Sequence, residues 1–285
     1  MIPLVKLREN LRFAKELQEM VEVLKWATAS QFRGLQQKRA GFEEFKIRLE
    51  DFLSLLKVCR LRHPFLTERA NLPKAVLMIT SDEGFVGSLN ALVVNAALEQ
   101  VSDQDEMIVV GERGARYLSE TQTRAFTFLP GIGDDITYKR ATAVRDMLIT
   151  KILRKDVGKI VIVYPRFLSL TIQRVDMVKI LPCDEILRQE TQAAGVNDKF
   201  EHFLIEPSPG IVVDYLVKMW VMQKIYEIFW GSKLSECAAR IIHLEGSYEE
   251  SLNTNKKLMY EYFKHLHARS DKNIREIFAS RLSLR

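Results

Sequence analysis

Proline is missing from two long stretches of the sequence, between Pro3 and Pro64 and again after Pro209. A proline inside a helix costs about 3 kcal/mol, so both stretches are free to run as continuous helix. The segment between them, which carries Pro73, Pro130, Pro165, Pro182 and Pro207, is not. Long hydrophobic runs are missing too. The most apolar, such as IVIVY, fall far short of the roughly 18 residues that span a bilayer, so no direct membrane insertion is expected. Cysteine is scarce: Cys59, Cys183 and Cys237 are an odd set without CxxC spacing, which points to free or buried thiols in a reducing compartment rather than a disulfide framework. A large excess of one charge is lacking as well. A net charge of +5 on 285 residues is weak support for nucleic acid, and an acidic protein partner suits it equally. The opening MIPLVKLRENL has no apolar signal-peptide core and carries Glu9 early, so residence in the cytoplasm is expected.

What is there divides the same way as the prolines. Leu4, Leu7, Leu11, Ala14, Leu17, Val21, Leu24 and Thr28 step by three or four, an apolar seam of coiled-coil type. Leu252, Met259, Phe263, Leu266, Ile274 and Ile277 form a similar seam, interrupted at Lys256 and Ser270. Helices this long outreach a compact middle, so pairing with each other is the simplest way to bury both seams. The alternative is a bundle broken at Gly34, Gly41, Gly231 and Gly246. Between them, KAVLMIT (74–80), EMIVVG (106–111), GKIVIVY (158–164) and DMVKILP (176–182) read as strands, with RAFTF (124–128) a weaker one. Helical stretches fall at 89–101, 113–120 and 136–155. The alternation predicts a mostly parallel sheet, with the last two strands antiparallel because PRFLSLTIQR is too short for a crossover. The fold class expected is mixed α/β: a long antiparallel coiled coil of the N- and C-terminal helices (1–63 and 207–285) with an inserted Rossmann-like α/β domain (72–206).

The stretch SDEGFVGSLN after the first strand invites a phosphate-loop reading, which its chemistry opposes. No lysine follows Gly87, the glycine spacing matches neither GxxxxGK[ST] nor GxGxxG, and Asp82 and Glu83 would repel phosphate. The plainer reading is a tight turn in which Gly84 takes a positive φ, Ser88 caps the next helix and Gly87 permits close approach. VGERGARYL (110–118) reads as a similar turn, with Glu112 and Arg113 solvated. His265 and His267 stand about 200° apart around a helix and cannot share one metal, while His63, His202 and His243 are isolated. Glu249 and Glu250 read as a solvated face. No catalytic constellation, cofactor or metal site is expected. The last thirty residues, Lys256 to Arg285, carry eight basic side chains against three acidic, which suits an acidic cavity or groove.

Taken in order, these residues resemble the γ subunit of F-type ATP synthases. SDEGFVGSLN is similar to that family's S-D-[RK]-G-L-C-G-x-L-N loop, placing Ser81, Asp82, Gly84, Gly87 and Asn90 in a structural motif. VGERGARYL resembles its VGxKG segment, and IVYPRFLSLTIQRVDMVKILP its paired strands. IEPSPGIVVDYLV resembles its EP-containing helix start, and LSECAARIIHL its S-E-x-x-A-R signature, here Ser235, Glu236, Ala238, Ala239 and Arg240. The resemblance covers essentially the whole chain. It implies a rotor shaft without a catalytic site of its own, partnered by α and β subunits, an ε subunit and a membrane c-ring, on the cytoplasmic face of a bacterial inner membrane. It implies that nucleotides bind on the partner subunits. It also implies a rotor–stator contact through Leu24, Lys25, Trp26, Leu266, His267, Asp271 and Asn273.

At several of those positions the sequence departs from the family. Leu24 and Trp26 stand at two usual Met positions and Gln31 at a usual Lys. Leu266, His267, Asp271 and Asn273 stand for Arg, Gln, Thr and Glu in N-K-x-R-Q-A-x-I-T-x-E-[LI]-x-E-I, while Lys264, Ala268, Ile274, Glu276 and Ile277 are kept. The plant-type redox insertion is absent. Two other readings share the layout. One is a small α/β nucleotide-binding enzyme with a helical dimerisation arm, which stoichiometric nucleotide binding would mark. The other is a non-rotary coiled-coil tether, which homodimerisation through the long helices would mark.

Overall fold

A computed structural model describes residues 3–38, 48–49, 64–67, 69–121, 124–133, 136–183 and 206–282. The expected first helix beyond residue 38 (48–49 apart), and Gly41, Cys59, His63 and His202, lie outside the described residues. Five strands form one sheet: β1 Lys74–Ile79, β2 Glu106–Val110, β3 Thr127–Leu129, β4 Lys159–Phe167 and β5 Gln173–Leu181, in the order β3-β2-β1-β4-β5. β1 pairs parallel with β2 and β4, and β2 with β3, while β5 returns antiparallel to β4. The order follows from the connections. Helix α2 (Leu89–Leu98) carries the chain from β1 to β2, α3 (Glu112–Thr121) from β2 to β3, and α4 (Tyr138–Arg154) from β3 across to β4.

Strand β1 is buried on both faces from Ala75 to Ile79, as expected of the middle of a sheet covered by helices on two sides. The pleat sorts its residues. Val76 and Met78 join Met107, Val109, Val163 and residues of α2 and α3 in one core layer. The β4–β5 hairpin is longer than the sequence pattern suggests: residues 165–167 and 173–175 extend the ladder, leaving Leu168–Ile172 as the turn. Within the extension Arg166 stands opposite Arg174 and reaches diagonally to Asp176 at 3.0 Å. The weak candidate at 124–128 contributes only Thr127–Leu129, an edge strand, and α4 begins at Tyr138 rather than residue 136.

Two long helices flank this domain in sequence, α1 (Leu4–Lys38) and α5 (Pro209–Leu282). Gly34, Gly231 and Gly246 lie inside them without a break, so the broken-bundle alternative fails at these glycines. The chain divides into two compact units, Met1–Ser30 with Arg240–Arg285, and Gln31–Ala239. Both long helices contribute to each.

Candidate functional site

The glycine loop follows β1 directly. Thr80 holds the end of that strand to β2, its backbone N–H donating to Val110 O at 2.9 Å and its hydroxyl to the same oxygen at 2.6 Å. Gly111, at φ +100°, and Gly114 press against it. A Cβ on either would fall within 2.4 Å of Thr80 atoms, so the β2–α3 turn needs glycine at both places. The Asn90 side chain then clamps the loop. Its Oδ1 accepts from Ser81 N–H at 3.0 Å and its amide donates to the Ser81 hydroxyl at 2.8 Å, which itself donates to Glu83 O.

Asp82 decides what this loop can bind. Its carboxylate accepts a hydrogen bond from the N–H of Glu112, the first residue of α3, at 3.3 Å. A helix N-terminus attracts anions through its free N–H groups and its dipole. Here the chain's own carboxylate takes that place. Two expectations need correction. The positive-φ residues are Phe85 (61°) and Gly87 (59°), not Gly84, and Ser88 makes no side-chain cap to α2. Gly84 faces the Arg113 guanidinium instead, 3.2 Å from where a Cβ would sit. Residue type does not reveal either, because the Asn90 clamp sets the loop's course and leaves the Ser88 hydroxyl without a capping role.

In open sheets of this strand order, ligands bind outside the carboxyl ends of the strands, where the order reverses. That edge is covered from within the chain. Pro165 of β4 stands level with Thr80, and Ser235 of α5 donates to Pro165 O at 3.0 Å. Phe229, two turns earlier on α5, shares a cleft with Val110 and Leu129 at the ends of β2 and β3. Phe32 of α1 meets Phe167 of β4 edge to face at 5.7 Å, and Trp230 donates to Leu35 O. Glu236, from the S-E-x-x-A-R signature, is buried and paired with Lys233 at 3.1 Å. Burial pushes the Tyr164 phenol up to about 12, with the Asp176 carboxylate adding to the effect. Tyr226, raised first by burial and then by Tyr138, stacks on that ring at 4.2 Å.

The helix pair is antiparallel, since Lys25 meets Glu245 at 3.0 Å while the earlier Gln18 accepts from the later Asn255. The seam on α1 follows the apolar spacing at Leu4, Leu7, Leu11, Ala14, Val21 and Thr28, whereas on α5 it departs from that spacing beyond Leu252. On α5 Leu244, Tyr248, Ser251, Asn255, Leu258, Tyr262 and His265 step by four and three and are less exposed, as are Ser247 and Leu252 beside them. On α1 Leu7, Val21 and Thr28 are buried, with Gln18 and Lys25 facing the partner helix. Leu17 (44% exposed) and Leu24 (38%) turn outward. Polar pairs hold the seam together. Asn255 also donates to Ala14 O, and the Lys25 ammonium lies 4.5 Å over the Tyr248 ring. Met259, Phe263, Leu266, Ile274 and Ile277 are exposed.

The positions of the implied rotor–stator contact therefore divide. Leu24, Trp26, Leu266, His267, Asp271 and Asn273 are exposed on the helices, while Lys25 spends its charge within the pair. Ser81, Asp82, Gly84, Gly87 and Asn90 come together in one loop, whereas Glu236, Ala239 and Arg240 belong to α5. Among the described residues no cluster of His, Cys, Asp and Glu could hold a metal ion, and no helix is long and apolar enough to cross a membrane.

A Rossmann-ordered sheet whose edge is met by its own helix, in a chain whose ends form an antiparallel helical pair, defines a class: an α/β domain inserted in sequence between two long helices. The chain belongs to the ATP synthase family, whose sequence model matches residues 4–284. It is 25% identical over 277 residues to the ATP synthase gamma chain of Symbiobacterium thermophilum, covering 95% of this chain and 94% of that one. With the ATP synthase gamma chain of Pelotomaculum thermopropionicum it shares 24% identity over 283 residues, 98% of each. In fold it resembles a rotor chain of the Euglena gracilis mitochondrial ATP synthase, with a TM-score of 0.68 at 16% identity over 93% of this chain and 98% of that one. A chain of the Tetrahymena thermophila mitochondrial ATP synthase central stalk and c-ring gives 0.62 at 17% identity, over 80% and 99%.

Proposed function

We propose that this chain is the γ-type central shaft of a rotary F-type ATP synthase. It turns within a ring of α and β subunits, and is joined through an ε subunit to an ion-driven c-ring on the cytoplasmic face of the membrane. It has no catalytic site of its own. Its work is mechanical: the angle of an asymmetric shaft biases each catalytic partner among discrete conformations.

The observation that carries this reading is the outward face of the helical pair. The seam is filled from within the pair, although Asn255 Oδ1 is buried there without a partner among the described residues, and both helices present large apolar side chains to the outside, among them Phe13, Trp26 (62% exposed), Phe263, Ile277 and Phe278 (64%). So many large apolar side chains left in the open suit an interface, and a surrounding sleeve of subunits would cover them. The Asp82 geometry argues against the nucleotide-enzyme alternative. Leu24, Trp26, Leu266, His267, Asp271 and Asn273 are the positions proposed to meet the sleeve. The test is exchange into an ordinary F-type ATPase in place of its γ subunit. Poor coupling of ATP synthesis, improved by Leu266→Arg, His267→Gln, Asp271→Thr and Asn273→Glu, is expected. Full coupling without those changes would show that these positions do not set the contact.

A further inference from the structure

The cleft beside Phe229 has a chemistry of its own. It lies at the carboxyl ends of β2 and β3, on the side of β1 away from the point where the strand order reverses, between α4 and α5. Val110, Leu129, Ile132, Val144, Met147 and Phe229 line it, and its volume is about 180 Å³. An apolar cavity of about 150 Å³ accommodates benzene, so the space suits a body of one aromatic ring with a short chain.

The charged side chain in the lining is Arg140. Its Nη1 donates to Gly131 O at 2.8 Å and to Ile132 O, and its guanidinium packs over Gly133. Gly133 has φ +69°, and a Cβ there would come within 2.5 Å of Nη1, so the turn is shaped around the guanidinium. Among the described residues its hydrogen-bond partners are these two neutral carbonyls, and the nearby Asp82 carboxylate lies against Gly131 and is engaged by the N–H of Glu112. A guanidinium has five N–H donors, and those on Nε and Nη2 match the fork of a carboxylate. A fixed cation at the rim of an apolar cleft selects a ligand that is apolar at one end and anionic at the other.

We propose that this cleft is a binding site for small arylcarboxylates, with the ring between α4 and Phe229 and the carboxylate on Arg140. A ligand so placed touches both the sheet's edge and α5, and strengthens their contact. The proposal concerns Gln31–Ala239 alone and does not depend on the rotor reading.

Titrating the full-length chain with hydrocinnamate, and with hydrocinnamyl alcohol as its neutral counterpart, tests it by calorimetry and ligand-observed NMR. Saturable one-to-one binding of the acid is expected, with a sub-millimolar Kd and the alcohol about tenfold weaker, as for loss of one charge-assisted bidentate contact. Arg140→Met should remove the preference for the acid while leaving the alcohol's weak binding. Val144→Trp, at a half-exposed position of the lining, should abolish both, with circular dichroism checking that each variant folds. Absence of saturable acid binding, or equal binding of acid and alcohol by the unaltered chain, would overturn the proposal without recourse to any variant. So would acid binding unchanged in a folded Val144→Trp chain.

Discussion

Asp82 and Gly131 meet where the β1 loop passes the end of β3, and neither tolerates change alone. A Cβ on Gly131 would fall 2.0–2.2 Å from the Asp82 carboxyl atoms, and that carboxylate is the acceptor for the first N–H of α3. Gly131→Ala is therefore expected to destabilise the chain by about 1–3 kcal/mol, by displacing Asp82. In an Asp82→Ala background the same change should cost much less. A double-mutant cycle by urea denaturation measures the difference, and additive costs would mean that the two do not meet. Asp105 supplies a pH signature. Burial pushes its carboxyl up, but hydrogen bonds from the Lys74 and Ser102 N–H groups and the nearby Lys74 charge outweigh that and hold it below the ordinary value. Its side chain is 8% exposed. A depressed folded-state value means a contribution fully present above the ordinary carboxylate pKa of about 3.9 and lost as pH falls through the folded value. Asp105→Asn should lower stability at neutral pH and flatten its fall below about pH 4, as followed by thermal melts across pH. Residues of this kind were only half legible. S-D-x-G…N announced a structural turn, but the partner of Asp82 lies some fifty residues on, in a loop that composition does not connect to it.

Among the elements, the parallel strands were legible because Val- and Ile-rich runs buried on both faces have a plain sequence signature. The seam of the helical pair was legible in part. Counting apolar residues finds Leu4, Leu7, Leu11, Ala14, Val21 and Thr28 on α1, but it also selects Leu17, Leu24, Met259 and Phe263, all exposed, and misses Gln18, Lys25, Ser251 and Asn255. A polar residue looks surface-bound until its mate on the other helix is known, and that mate lies more than 200 residues away. Polar seam positions fix register at a cost in stability. Replacing Gln18 and Asn255 together by Leu is thus expected to raise the melting temperature and loosen the register. Disulfide trapping reads the second effect. Lys25→Cys should cross-link with Glu245→Cys alone in the native seam, and also with Leu252→Cys, one heptad away, in the doubly substituted one. A lower melting temperature with unchanged cross-linking would mean that the polar pair only stabilises.

For the whole molecule, the proposed role rests on a division of labour. A sheet that in other proteins opens its edge to a ligand has that edge covered at β4 by α5 and the Phe32–Phe167 contact, and the helices keep their apolar exterior for partners. The layout was legible from proline placement and strand alternation, and the role from the collinear resemblance. Coverage of the edge was not, because it depends on where α5 passes in space. The most direct measurement is rotation. The chain is assembled with its own α and β subunits, fixed to a surface through them, and labelled with a bead through a cysteine replacing the exposed Glu99 of the α/β domain. With ATP supplied, the bead should rotate steadily in one direction. A complex that hydrolyses ATP at full rate while the bead stays still would contradict it.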